Sequence, residues 1–233
     1  MHTPPPASDP APELTPSKSA TAITLPSTDV AGRLVDLQYY LDGEVAYIPG
    51  PVRADGAWDV LHGDSYGTGV LIADAQTKGA TTVVLDLGGT DDIVALDAGM
   101  GILVALGAAP YDARGFALPK GGAPLVALDQ VDTAQLNIPA AALNWVLVVD
   151  PDSAPTPAAA PSAASTSLEL SAEHTALLTG AMLRAADVFH SDPHAEFCGA
   201  GGGVPMALTW LSTLLHGDGS RVSIRPVPPA RPA

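Results

Sequence analysis

Hydrophobic positions along the chain change their period from segment to segment. Ile23-Thr24-Leu25, Leu34 to Tyr40 and Glu44 to Ile48 carry the alternation of half-buried strands. Asp42-Gly43, between the second and third runs, is a type I′ hairpin signal. Val70 to Thr77 predicts a helix, Thr81 to Leu87 a strand, and about Ala98 to Leu106 a second helix. Asp112-Ala113-Arg114-Gly115 predicts a turn, Gly121 to Leu136 short helical or strand pieces, and Trp145 to Val149 a buried strand. Ser171 opens a helix in which Leu178, Met182, Ala185 and Phe189 share one face. Met206, Thr209 and Leu211 predict a last helix. The fold class expected is α/β: a single mixed-sheet domain with flanking helices.

Composition divides the chain around that domain. Residues 1–22 are rich in Pro and Ala and are expected to be a disordered tail. The domain is expected over 23–152, followed by a Pro/Ala/Ser linker at 153–166 and a helical continuation at 167–221. Residues 222–233 are expected to be a Pro-rich tail. The 233 residues are 47% hydrophobic and 15% charged, which suffices for a core. No apolar run reaches membrane length. The start, Met-His-Thr-Pro-Pro-Pro, lacks the basic and apolar regions of a signal peptide. One cysteine, Cys198, suits a reducing cytoplasm.

The net charge of −15 argues against nucleic acid or an anionic membrane as partner, since both require cationic surface. It also bears on the candidate chemistry. In Thr82 to Gly107 an apolar strand enters the Gly88-Gly89-Thr90 turn, and Asp97-Ala98-Gly99-Met100-Gly101 opens a helix. Glycines admit close approach of backbone N–H groups to an oxyanion, and a helix N-terminus adds favourable partial charge. Ser65-Tyr66-Gly67-Thr68-Gly69 precedes another helix. With only 10 Lys and Arg in the chain, an anionic substrate fits awkwardly, and a divalent cation would supply part of the missing positive charge.

Three other motifs carry a chemical reading beside a plainer one. Asp86-Leu87-Gly88-Gly89-Thr90 mimics the phosphate motif of hexokinase-like kinases but stands mid-chain without a partner motif. Gly63-Asp64-Ser65-Tyr66-Gly67 fits the G-x-S-x-G nucleophile elbow, against Ser65 as a simple helix N-cap. His190 to Cys198 holds five possible metal ligands, against a solvated loop after a helix.

The order S-Y-G-T-G, strand, G-G-T, then D-A-G-M-G with a following A-L-G resembles the bacterial glycerate kinase family. Ala31-Gly32-Arg33-Leu34-Val35, Gly121-Gly122-Ala123-Pro124-Leu125 with Asp129-Gln130-Val131-Asp132, Leu170-Ser171-Ala172-Glu173 and Ala200-Gly201-Gly202-Gly203 are similar to further family segments, in order. The resemblance implies phosphoryl transfer from ATP to glycerate with Mg²⁺. It implies two α/β domains, one flavodoxin-like and built from both chain ends, the other inserted; this chain resembles the inserted one, and the flavodoxin-like half is expected to be missing or supplied by a partner chain. The implied roles are Asp97 near the transferring group, Asp91 on Mg²⁺, and Ser65, Thr68, Gly69, Gly88, Gly89 and Thr90 around substrate or phosphate.

Departures from the family pattern predict impaired activity. The family's Gly-Gly-Ser-Ala-Thr is Gly88-Gly89-Thr90-Asp91-Asp92 here, and extra residues within Ile93 to Leu96 separate Asp97 from the glycine turn. Misplacement by about 1 Å can cost roughly 100-fold in such sites. The rival expectation is a non-catalytic member of the family acting as a binding or interaction protein.

Overall fold

The computed structural model describes residues 12–227. A six-stranded sheet runs in the order β1-β2-β3-β4-β7-β8. Its strands are β1 Thr21–Thr28, β2 Leu34–Asp42, β3 Val45–Pro49, β4 Thr82–Gly88, β7 Asn144–Val149 and β8 Val222–Pro226. The first two pairings are antiparallel, and β3, β4, β7 and β8 run parallel. A small antiparallel ribbon joins β5 Ala109–Tyr111 to β6 Gln130–Asp132. The helices are α1 Tyr66–Thr77, α2 Met100–Ala105, α3 Ile138–Ala141, α4 Ala160–Ala163, α5 Ala172–Val188 and α6 Val204–His216. The architecture is a mixed α/β sheet with flanking helices.

Strand alternation builds two apolar layers. Val83, Leu85 and Leu87 of β4 face the main core with Trp145, Leu147 and Val149 of β7. Val84, Val146 and Val148 face the other way, against Val45, Tyr47 and Leu14. Both faces of the central strands are therefore buried, as parallel strands require. The predicted face of α5 is correct: Leu178, Met182 and Ala185 are buried, and Ser171 caps the helix by accepting the His174 N–H.

Four local expectations are corrected. The hairpin turn is Gly43-Glu44, one residue later than the signal, because Asp42 pairs with Val45. Gly43 has φ +60° and Glu44 does not share the left-handed region, the pattern of a type II′ turn. The first strand starts at Thr21, inside the expected tail. Residues 1–11 of that tail lie outside the described residues.

The segment 153–166 is more than a linker. It carries α4 and buries Ala160, Pro161 and Ala164, and Gly199 N–H bonds back to Pro155. Small side chains that look like connector composition here serve close packing. The expected C-terminal tail contributes β8, paired with β7 from Trp145↔Val222 to Val149↔Pro226. Proline is tolerated there because it ends an edge strand. Residues 228–233 lie outside the described residues.

Candidate functional site

The carboxyl ends of β3, β4 and β7 lie side by side in the sheet, where open α/β folds form ligand crevices. A groove of about 350 Å³ opens between the loop after β3 and the loop after β4. Pro49 to Arg53 form one wall; Asp86 to Gly88, Asp91, Asp92 and Val94 form the other. The glycine turn belongs here. Gly88 has φ +56°, a conformation that suits glycine. The Asp150–Ser153 loop after β7 packs against it, with Ser153 Oγ donating to Asp150 Oδ2 at 2.8 Å.

The donors of this turn are already engaged. Gly88 N–H bonds Asp86 Oδ1 at 3.1 Å, Gly89 N–H bonds Asp92 Oδ2 at 2.8 Å, and Thr90 N–H bonds Ser153 Oγ at 3.3 Å. The Thr90 hydroxyl donates to the Ser153 carbonyl. A Cβ at Gly88 would collide with the Asp92 carboxylate, so that carboxylate lies directly over the glycine. An acidic side chain of the chain itself thus covers the turn. Asp150 is held below the usual carboxylate range by the Asp152 N–H and the Ser153 hydroxyl, so it is a fixed negative charge beside the turn. Arg53 is the one basic residue lining the groove, and its guanidinium lies 5.1 Å over the Trp58 ring.

Asp91 is exposed at the groove rim. No three His, Cys, Asp or Glu side chains converge on a metal position among the described residues, at Asp91 or in the His190 to Cys198 loop. For Mg²⁺ this is compatible with one or two carboxylates, since that ion keeps waters and takes its remaining ligands from substrate phosphates. Asp91 with Asp92 or Asp86 fits that description. The fit is weaker for the His190 to Cys198 loop, which would have to hold a metal without help from substrate.

Asp97 is not at this groove. It is 0% exposed. Its Oδ2 accepts Ser65 N–H at 2.8 Å, Ser65 Oγ–H at 2.8 Å and Gly101 N–H at 2.9 Å, while Oδ1 accepts Gly99 N–H at 3.0 Å. Burial pushes its carboxyl above the ordinary range, against the opposing pull of those donors. It joins the starts of α1 and α2 and has no open face for a substrate.

The first predicted cradle is closed in the same way. Ser65 is 1% exposed, and its hydroxyl, besides donating to Asp97, accepts Ile102 N–H at 3.1 Å. Ser65 therefore caps α2 rather than its own helix, and it neither follows a strand nor bonds a histidine, so the nucleophile-elbow motif has no catalytic geometry. Thr68 is buried with its hydroxyl unpartnered. A Cβ at Gly69 would collide with Ala105 and Ile102, so this glycine lets α1 and α2 touch. Ser65, Thr68 and Gly69 line neither the groove nor the Gly88 turn; the two turns do not converge on a common cleft. Arg53 and Ser153 were not singled out by the sequence pattern, Asp92 was read only as added acid beside the turn, and Asp150 only as a loose candidate for a hydrolase's acid. The only signal for Asp92 was its place just after the glycine turn, and Asp150 followed a strand end in the same way.

Comparison with known proteins now bears on this geometry. The model of the glycerate kinase family matches residues 18–219. The chain belongs to the glycerate kinase family. It is 38% identical over 79 residues to Glycerate 2-kinase of Escherichia coli (strain K12), a match over 34% of this chain and 20% of that protein. A solved structure of a Salmonella typhimurium LT2 protein described as glycerate kinase 2 aligns with a TM-score of 0.70 at 24% identity. That alignment takes in 89% of this chain and 56% of the solved chain, so the chain spans little more than half of that relative. The structural match establishes the shared fold, and the family match establishes kinship along most of the sequence.

Proposed function

We propose that this glycerate kinase family protein handles the phosphoryl-transfer end of an ATP-dependent reaction on glycerate, with activity limited by its own acidic turn. The observation that carries the reading is the Gly88-Gly89-Thr90 turn at the end of a central parallel strand, opening onto a groove with Asp86, Asp91 and Arg53. Gly88, Gly89 and Thr90 are proposed to present N–H donors to phosphate once Asp86, Asp92 and Ser153 release them. Asp91 is the proposed Mg²⁺ contact, since that ion is commonly held by only one or two protein carboxylates. When bound, Mg²⁺ supplies the charge neutralisation that phosphoryl transfer needs. Asp97 is proposed as a positioning residue that fixes α1 against α2, together with Ser65, Thr68 and Gly69.

With one basic side chain in the groove, further cationic groups for ATP are proposed to come from another domain or a partner chain. A cytoplasmic setting is proposed from the family's metabolic chemistry; among the described residues no helix is long and apolar enough to cross a membrane.

One observation favours a second reading, a non-catalytic family member that binds or scaffolds: the three N–H donors of the turn are all bonded internally. A coupled ADP-release assay with D-glycerate and Mg-ATP separates the two. Turnover above buffer that drops in Asp91→Asn supports the kinase reading. Turnover equal to buffer in both wild type and Asp92→Ala, with both proteins folded, sinks it in favour of the second.

A further inference from the structure

A second cavity, of about 460 Å³, lies beside the Ser65–Asp97 junction, away from the groove. The two share no lining residue. The cavity lies between the β1–β2 connection, the starts of α1 and α2, β5, and the loop that carries Lys120. Its volume falls in the range of small-molecule sites, about 300–1,000 Å³. Its walls are chiefly carbon: Met100 and Val104 from α2, then Ala108, Pro110 and Leu118.

Polar groups gather at one end. Lys120 Nζ donates to the Ala31 carbonyl at 3.0 Å and stands 3.7 Å from Asp64 Oδ2. An ammonium has three protons, so Lys120 keeps donor capacity. Thr28 Oγ1 is buried and has no hydrogen-bond partner. An orphaned buried hydroxyl costs stability unless something completes it. Gly32, at φ +80°, lies directly against the Lys120 ammonium at this end.

We infer that the cavity binds a small organic acid with an apolar body, its carboxylate accepting from Lys120 Nζ, and from Thr28 Oγ1 once that shielded hydroxyl turns into the cavity, and its hydrocarbon portion filling the space beside Met100, Val104 and Leu118. The match is one of chemistry. A carbon-lined pocket with a single cationic end selects a monocarboxylate over a polyhydroxylated acid, whose hydroxyls would be stranded against Pro110 and Leu118. Burial and the nearby Asp97 push the Asp64 carboxyl above the ordinary range, against the pull of the Tyr66 N–H and Lys120, and the two cavities share no lining residue. The site is therefore distinct from the glycerate reading of the Gly88 turn and does not depend on it.

Isothermal titration of the full chain with 3-phenylpropanoate and with its uncharged amide tests this. The acid is expected to bind wild type, and Lys120→Met to weaken it by about tenfold while leaving the amide within about twofold. Thr28→Val, which removes the hydroxyl at constant shape, is expected to weaken the acid by a smaller factor. Val104→Trp, built on a residue 38% exposed at the rim, is expected to fill the space and abolish binding of both probes. Far-UV circular dichroism and the urea midpoint establish that each variant is folded. Absence of binding by the acid at millimolar concentration overturns the inference. So does acid binding that Val104→Trp leaves unchanged, or an acid affinity unmoved by both Lys120→Met and Thr28→Val.

Discussion

Asp97→Asn separates a positioning carboxylate from a reacting one. The native carboxylate accepts four hydrogen bonds, three at Oδ2 and one at Oδ1, with no exposed surface. An asparagine oxygen placed at the Oδ2 position keeps the bonds from Ser65 and Gly101. Its NH₂ then faces the Gly99 N–H, and a buried donor left unmatched costs about 1–3 kcal/mol. The lost negative charge at the starts of α1 and α2 removes about 0.3–1 kcal/mol more. Relief of the carboxylate's desolvation acts in the opposite direction, so the net expectation is a loss of about 2 kcal/mol. Asp97→Ala strands all four donors and is expected to cost about 3–5 kcal/mol. Urea unfolding measures both as shifts in midpoint at unchanged slope. The reasoning is refuted if Asp97→Asn stays within about 0.5 kcal/mol of wild type. If it does so and also abolishes ADP release, Asp97 belongs with the reacting groups after all.

Four further outcomes follow from the packing and charge described above. Asp92→Ala vacates the space over Gly88 and frees the Gly89 N–H, so inorganic phosphate should bind about tenfold more tightly at low salt, read by competition titration; unchanged affinity would show that the carboxylate does not block the turn. Gly67→Ala should destabilise by about 1–3 kcal/mol despite alanine's better helix propensity, because its Cβ would collide with the Thr28 carbonyl; a rise in melting temperature contradicts this. Trp145→Phe should cost under about 1.5 kcal/mol, since the buried indole N–H has no partner to lose, whereas Trp145→Ala should cost about 3–5 kcal/mol; equal losses would refute the distinction. The Asp64 carboxyl is raised in the folded protein, chiefly by burial and then by Asp97, so its contribution to stability is present below the ordinary carboxylate range and is lost as pH rises through the raised value. Melting temperature should therefore fall less steeply with rising pH above about 4 in Asp64→Asn than in wild type, and identical slopes would refute the assignment.

The sequence alone determined the elements whose signal is local. Alternation from Leu34 to Tyr40 and the apolar run from Thr81 to Leu87 marked strands, because one face is buried in the first and both faces in the second. The α5 face followed from its helical spacing, and the glycines around 88 and 99 marked turns because their backbone lies at positive φ. Family kinship was legible for the same reason: it resides in ordered short motifs. What the tertiary structure decided depends on partners far apart in the chain. Pro226 reads as a tail until Val149 is found beside it, and Ala160 and Pro161 read as a linker until the Gly199 turn packs against that segment. Asp97 looks like a free catalytic acid until Ser65, 32 residues away, donates two hydrogen bonds to it. Residue type and spacing specify which groups can donate or accept. Only the packing of α1 on α2, and of the β4 turn on the β7 loop, specifies which donors are already taken and which remain for a ligand.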